Sequence, residues 1–281
     1  MKLLNGKELA EFIAERQARE VRALRQAHAI FPKLAIIVTV DNPVIDVYMR
    51  MKQRYGADML IDVDIHRITT EEAPEAIKKL NEDDSVHGII VQLPLSDPAR
   101  TDEIVSLVDP EKDVDGLGPA AKYDPATAMA ILWLLSAYNI ELYKGQYVLL
   151  IGHGKLVGAP LEKILLASNV NVNIADRETT DLKAMTLEAD VIITATGSPA
   201  ILHPDMVKDG AVVVDAGVAS EGGKTVGDLA PEMYERKDLT ITPARGGVGP
   251  LTVCSLFENV IQAAKRRVVV QPKVNQNEAA T

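Results

Sequence analysis

The chain has 281 residues, 47% of them hydrophobic and 25% charged, with a mean hydropathy of +0.04, a balance that excludes intrinsic disorder. Thirty Lys and Arg stand against 40 Asp and Glu, a formal charge of −10 that argues against a nucleic-acid binder. A single cysteine, Cys254, excludes an intrachain disulfide framework, and no apolar run approaches the roughly 20 residues of a membrane span.

The N-terminus turns charged almost at once and holds no signal-peptide core, so the sequence predicts a cytoplasmic protein with no membrane partner. Residues 7–28 carry apolar positions at helical spacing and predict an amphipathic helix. KLAIIVTV (33–40) reads as a strand covered on both faces, broken by Asp41-Asn42-Pro43. A helical stretch with Tyr48, Arg50, Lys52 and Arg54 follows, then a strand in MLIDVDIHRI (59–68). A helix over 71–83 and a buried strand over 87–95, ending Leu93-Pro94-Leu95, complete an alternation that signifies a parallel α/β layer. PATAMAILWLLSAYNI (125–140) predicts a long helix, after which the same grammar restarts. Strands at 146–152, 170–176, 190–197, 211–217 and 239–244, with a helix at 161–169, predict a five-membered sheet. A final amphipathic helix, 251–267, precedes a polar tail. Cys254 lies within that helix and reads as core.

The strand VLLIG runs straight into Gly152-His153-Gly154-Lys155-Leu156-Val157-Gly158. Glycines there let the chain turn sharply, bring backbone N–H groups near a pyrophosphate, and present a helix N-terminus to it. The spacing is one residue longer than the usual dinucleotide fingerprint, but the next strand ends in Asp176, where a carboxylate can bind a ribose diol. Strand, glycine turn, helix, strand and acid together predict a dinucleotide site. Asp176 favours the free 2′-hydroxyl of NAD, whereas Arg177 could pair with the 2′-phosphate of NADP.

In the first half, Tyr48 and Lys52 are four residues apart and share a helix face. Gln92 falls near the carboxyl edge of its strand, where α/β sheets bind ligands. Asp113 and Asp115 sit in a loop, Lys112-Asp113-Val114-Asp115-Gly116. Alone, each has a plainer role: a packed tyrosine, a solvated lysine, two turn-forming acids. The five histidines form no close-spaced pair, so no metal site is expected.

Taken in order, Y-x-x-x-K, VQLPL, KDVDG, the glycine turn with VGAP, and GGVGPLT closely resemble the methylenetetrahydrofolate dehydrogenase/methenyltetrahydrofolate cyclohydrolase family, from about Leu4 to Lys265. The resemblance implies an α/β protein of two domains: a catalytic, folate-binding domain (1–124) on which the C-terminal helix 250–267 packs, and a Rossmann-type domain with a parallel sheet (125–249). Residues 268–281 form a tail expected to be disordered. It implies a homodimer with folate in the interdomain cleft, and NAD or NADP on the second domain. Carried over by position, the catalytic set is Lys52, Tyr48, Gln92 and Asp115. Tyr48 stacks on the folate and Asp115 holds the pterin, with Leu93, Pro94, Gly249 and Pro250 also at the substrate. Gly152, His153, Gly154, Val157, Gly158, Asp176, Arg177 and Val218 fall on the cofactor.

The chain departs from the family at several of these places. Ile45 stands where a serine is common, Ala126 and Ala128 interrupt a P-C-T-P motif, and Arg245 alters P-V-P-G-G. His153 replaces the usual arginine of the cofactor loop, removing a phosphate partner, so NAD is favoured. The implied chemistry is oxidation of 5,10-methylenetetrahydrofolate with NAD(P)+, followed by hydrolysis of the methenyl product to 10-formyltetrahydrofolate. A shikimate- or amino-acid-type dehydrogenase would share the second-domain grammar without VQLPL and KDVDG. A non-catalytic nucleotide-binding regulator would have no need to keep Lys52, Gln92 and Asp115.

Overall fold

The β-branched runs become the central strands of two parallel sheets in a computed structural model, which describes residues 1–221 and 224–270. In chain order the strands and helices are β1 (Lys2–Leu3), α1 (Gly6–His28), β2 (Lys33–Val38), α2 (Pro43–Met59), β3 (Asp62–Arg67), α3 (Ala73–Glu82), β4 (Gly88–Gln92) and α4 (Thr101–Val105). Then come α5 (Ala126–Ala137), β5 (Val148–Ile151), α6 (Gly158–Ala167), β6 (Val172–Ala175), α7 (Leu182–Glu188), β7 (Val191–Thr194) and β8 (Val212–Asp215). The strands β9 (Ala219–Glu221), β10 (Lys224–Val226) and β11 (Thr240–Ile241) precede α8 (Val248–Val270).

The chain divides into two compact units. Among the described residues, one comprises 16–114, 118–122 and 257–270, the other 1–15, 115–117, 123–221 and 224–256. The first is built on a three-stranded parallel sheet in the order β3-β2-β4. Burial follows that order: β2 is buried along almost its whole length, while the edge strand β3 is only half-buried. The second unit holds a six-stranded sheet, β1-β11-β8-β7-β5-β6, with every pairing parallel. Its interior strands β5 and β7 are fully buried, as a sheet covered on both faces requires.

The expected five-membered sheet is therefore one strand larger. Lys2 and Leu3 add β1 beside Thr240 and Ile241, and Leu4 continues it by donating its N–H to the Ile241 carbonyl at 2.9 Å. Two residues with exposed side chains carry no periodicity, so nothing local announces this strand. The short α7 and the antiparallel β9–β10 ribbon are also additions. For α7 a local signal exists, since Asp181 caps it by accepting from the Ala184 N–H at 2.9 Å.

The expected strand 59–68 begins late because α2 runs on to Met59. Leu60 takes φ +60°, Ile61 donates to the Gly56 carbonyl and Leu60 to that of Ala57, a Schellman stop. Helices α5 and α6 end the same way on Asn139 and Asn169, at φ +56° and +59°. The final helix begins at Val248 and continues through residues 268–270, which the sequence reading assigned to the tail. The rest of that tail, 271–281, lies outside the described residues.

Candidate active site

Helix α2 presents Ile45, Tyr48, Met49 and Lys52 along one stripe, at spacings of three and four residues. Ile45 and Met49 are 5% and 1% exposed and anchor the stripe in the core. Tyr48 and Lys52 are half-buried beside them, and the intervening Arg50 and Met51 are exposed. Burial raises the pKa of the Tyr48 hydroxyl, so its ring is neutral across the physiological range.

Gln92 is the last residue of β4, at the carboxyl edge of the small sheet. Its Nε2 donates to the Leu93 carbonyl at 2.8 Å, which turns Oε1 outward, and Oε1 accepts from Lys52 Nζ at 2.9 Å. The two residues, 40 positions apart, are thus brought into direct contact. Leu93 and Pro94 continue from Gln92, half-buried and exposed respectively, across a cis peptide bond.

The KDVDG loop is buried at its first acid and half-buried at its second. Lys112 is 3% exposed, and its Nζ donates to the carbonyls of Leu80, Asn81 and Asp83 at 2.9, 2.8 and 2.7 Å. An ammonium there caps the C-terminal end of α3. Asp113, also 3% exposed, accepts from the Gly118 N–H at 2.7 Å and bridges to Ile89. Asp115 is half-buried, and the Gly116 that follows has φ +70°. In the larger unit, Gly249 and Pro250 lie in the first turn of α8. Ala126 and Ala128 are buried in the first turn of α5, and Arg245 is exposed.

The dinucleotide features converge at the carboxyl edge of the larger sheet. From β5 the chain passes outward to β6, then returns to β7 on the other side of β5. This makes the gap between the β5 and β7 ends the switch point at which such sheets bind ligands. Gly152 leaves β5 at φ +97°, and a Cβ there would sit 2.7 Å from the Ala195 carbonyl oxygen. A Cβ on Gly158 would fall 2.1 Å from the Gly152 carbonyl oxygen, so only glycine lets α6 start this close to the turn. Around Gly154 there is open space, and Val157 precedes the first turn of α6. A tight turn, an open cradle and a helix N-terminus aimed at it fit the pyrophosphate of a dinucleotide.

His153 Nε2 lies 2.6 Å from Glu162 Oε2 on α6. Asp176, exposed just beyond β6, closes its own turn by accepting from the Glu178 N–H at 2.9 Å through Oδ1. Arg177 is exposed beside it, as is Val218, at 50%, after β8. Among the described residues no three His, Cys, Asp or Glu side chains converge as metal ligands.

Two further acids, outside the set expected from the sequence, meet in the same loops. Asp228 is fully buried and accepts from the N–H groups of Thr196 (2.7 Å) and Ser198 (3.0 Å). Asp215, at the end of β8, accepts from the N–H groups of Gly217, Asp228 and Leu229 and from the Thr194 hydroxyl. Burial, and then the charge of Asp228, push the Asp215 pKa up. An acid ending a strand in V-V-V-D-A-G was the available signal.

A doubly wound sheet with a glycine turn in one unit, and a lysine–glutamine pair in a second α/β unit, define a two-domain nucleotide-dependent enzyme class. Family models for the catalytic domain and the NAD(P)-binding domain of tetrahydrofolate dehydrogenase/cyclohydrolase match residues 4–115 and 125–268. A bifunctional protein FolD of Lactobacillus acidophilus is 39% identical over 279 residues, 95% of this chain and 98% of its own. The crystal structure of the bifunctional FolD dehydrogenase/cyclohydrolase of Campylobacter jejuni, 37% identical, superimposes with a TM-score of 0.89 over 95% of this chain and 99% of the other. A Trypanosoma brucei FolD structure, complexed with NADP cofactor and inhibitor, is 28% identical, with a TM-score of 0.88 over 95% and 98%. The chain belongs to the tetrahydrofolate dehydrogenase/cyclohydrolase family, and its class is that of the NAD(P)-dependent methylenetetrahydrofolate dehydrogenases and methenyltetrahydrofolate cyclohydrolases.

Proposed function

We propose that this chain oxidises 5,10-methylenetetrahydrofolate with NAD(P)+ and hydrolyses the methenyl product to 10-formyltetrahydrofolate, with Lys52 as the proton-transfer group of the second step. The observation that carries the reading is the Lys52–Gln92 hydrogen bond of 2.9 Å at the carboxyl edge of β4, in a chain matched by both family models.

Water adds to the methenyl carbon, and Lys52 takes up the proton it sheds. The bond from that carbon to N5 then breaks, and Lys52 returns a proton to N5. The net reaction consumes one water, leaves the formyl group on N10 and releases one proton. Gln92 holds the amine of Lys52 in place, and Tyr48 offers its face for the pterin to stack on. Asp115 accepts hydrogen bonds from the pterin amino and ring N–H groups; a carboxylate suits these donors. Leu93, Pro94, Gly249 and Pro250 complete the substrate contacts.

When bound, the nicotinamide accepts the hydride. Gly152, His153, Gly154, Val157 and Gly158 take the pyrophosphate side, and Asp176, Arg177 and Val218 the rest. We favour NAD over NADP: the Asp176 carboxylate would repel a 2′-phosphate, and His153 is engaged by Glu162. The enzyme works as a homodimer in the cytoplasm, the arrangement its family resemblance supports.

Purified protein mixed with methylenetetrahydrofolate and either cofactor, followed at the methenyl and reduced-cofactor absorbances together, tests this reading. Reduced cofactor should form with methenyl absorbance that rises and then decays. An absence of cofactor reduction overturns it.

A further inference from the structure

The loop 195–198 after β7 is one wall of the switch-point crevice, and two of its N–H groups are held by a single buried carboxylate. Asp228 is 0% exposed and receives the N–H of Thr196 through Oδ2 and that of Ser198 through Oδ1. The loop it grips touches both sides of the cofactor region. A Cβ on Gly152 would strike the Ala195 carbonyl, and one on Gly197 would lie 3.2 Å from the Val218 carbonyl. The grip is itself braced. Asp215 receives the backbone N–H of Asp228 through both oxygens, at 3.1 and 3.0 Å. The two carboxylates also fill reciprocal glycine spaces: a Cβ on Gly217 would fall 2.0 Å from Asp228 Oδ1, and one on Gly227 2.0 Å from Asp215 Oδ2. Four backbone segments, 194–198, 215, 217 and 227–229, are thereby locked together.

We propose that Asp228, braced by Asp215, is a positioning residue for the dehydrogenase reaction, setting loop 195–198 against the glycine turn so that the crevice keeps the shape that receives NAD(P). The proposal rests on the cofactor assignment above. Hydrolysis of the methenyl substrate needs no nicotinamide, so the two activities separate this role from a general one in folding.

Asp228→Asn keeps the shape but turns one acceptor into an N–H donor facing a backbone N–H. Its dissociation constants for NAD and NADP, measured by calorimetry, should rise tenfold or more. Hydrolysis of methenyltetrahydrofolate supplied without cofactor should stay within twofold of the parent. Gly217→Ala, whose Cβ would push on the same carboxylate and leave its charge in place, should act in the same direction. Unchanged cofactor affinity in either folded variant overturns the proposal. So does parallel loss of hydrolysis and cofactor binding in both, which would make the pair a fold element alone. Parent protein that bound neither cofactor would overturn the assignment beneath the proposal, and the proposal with it; loss confined to the variants leaves that assignment standing.

Discussion

Two lysines of this chain show how placement decides what an ammonium does. Lys52 is half-buried at the carboxyl edge of β4, with Gln92 Oε1 as one partner. Lys112 is buried and spends its three donors on main-chain carbonyls, and burial pulls its pKa down. Replacing each by methionine should therefore have opposite signatures. Lys52→Met removes the proton carrier at near-constant volume. Hydrolysis of methenyltetrahydrofolate should fall about 100- to 10,000-fold, the range of general acid–base groups, while oxidation survives in part. Equal loss of both steps at unchanged folate affinity would contradict the role. Lys112→Met strands buried carbonyls at the end of α3. Urea denaturation should show a loss of about 1–3 kcal/mol, with the ratio of the two activities unchanged.

At the scale of elements, α2 sets the candidate site, and its C-terminus carries avoidable strain. Leu60 ends the helix in the left-handed region with its side chain 47% exposed, whereas α5 and α6 use asparagine at the equivalent turn. A branched side chain is disfavoured at that backbone conformation, and glycine is not. Leu60→Gly should raise stability by about 0.5–1 kcal/mol in chemical denaturation, with both activities retained. A loss of stability would mean that the Leu60 side chain, not the turn, was the stabilising part. Arg25 Nη1 donates to the Leu60 carbonyl at 3.0 Å, and a glycine keeps that acceptor.

The whole molecule is expected to report cofactor choice and pH through its stability. A ligand that binds only the folded chain stabilises it by RT ln(1 + [L]/Kd), about 2.7 kcal/mol at one hundred times Kd. At equal concentrations NAD should raise the thermal midpoint more than NADP, and Asp176→Ser should narrow that difference. A larger shift with NADP in the parent protein would show that Asp176 does not face the ribose. The pH response centres on His87, 7% exposed, with Nδ1 lacking a hydrogen-bond partner among the described residues. Burial first, and then the positive charges of Arg267 and Lys112, lower its pKa, outweighing a hydrogen bond to the Ser85 main chain and the charge of Asp83. In the unfolded chain a histidine titrates near 6.5, so below about pH 6.5 the unfolded state binds the extra proton and stability falls as pH falls. His87→Asn should flatten that slope between about pH 7 and 5.5 in denaturant titrations; an unaltered slope would assign it to other groups.

Much of the fold is encoded in short stretches of the chain. Apolar runs such as KLAIIV and VLLI set buried parallel strands, the interruption at Asp41-Asn42-Pro43 separated β2 from α2, and the glycine turn with Asp176 at the end of the next strand marked the dinucleotide edge. The motifs of the family resemblance are equally local, and they named Lys52, Gln92 and Asp115 before any contact was known. Tertiary structure alone decided which of these residues touch. It joined Lys2–Leu3 to Thr240–Ile241, brought Lys52 to Gln92 across 40 positions, and made Lys112 a cap for a helix 30 residues upstream on the chain, at Leu80 to Asp83. It also interlocked Asp215 with Asp228, two acids that no spacing rule pairs. The physical reason is common to all of these. Periodicity and turn chemistry act between neighbours along the chain, whereas a buried charge or an edge strand finds its partner only when separate segments are packed and every buried donor must be matched.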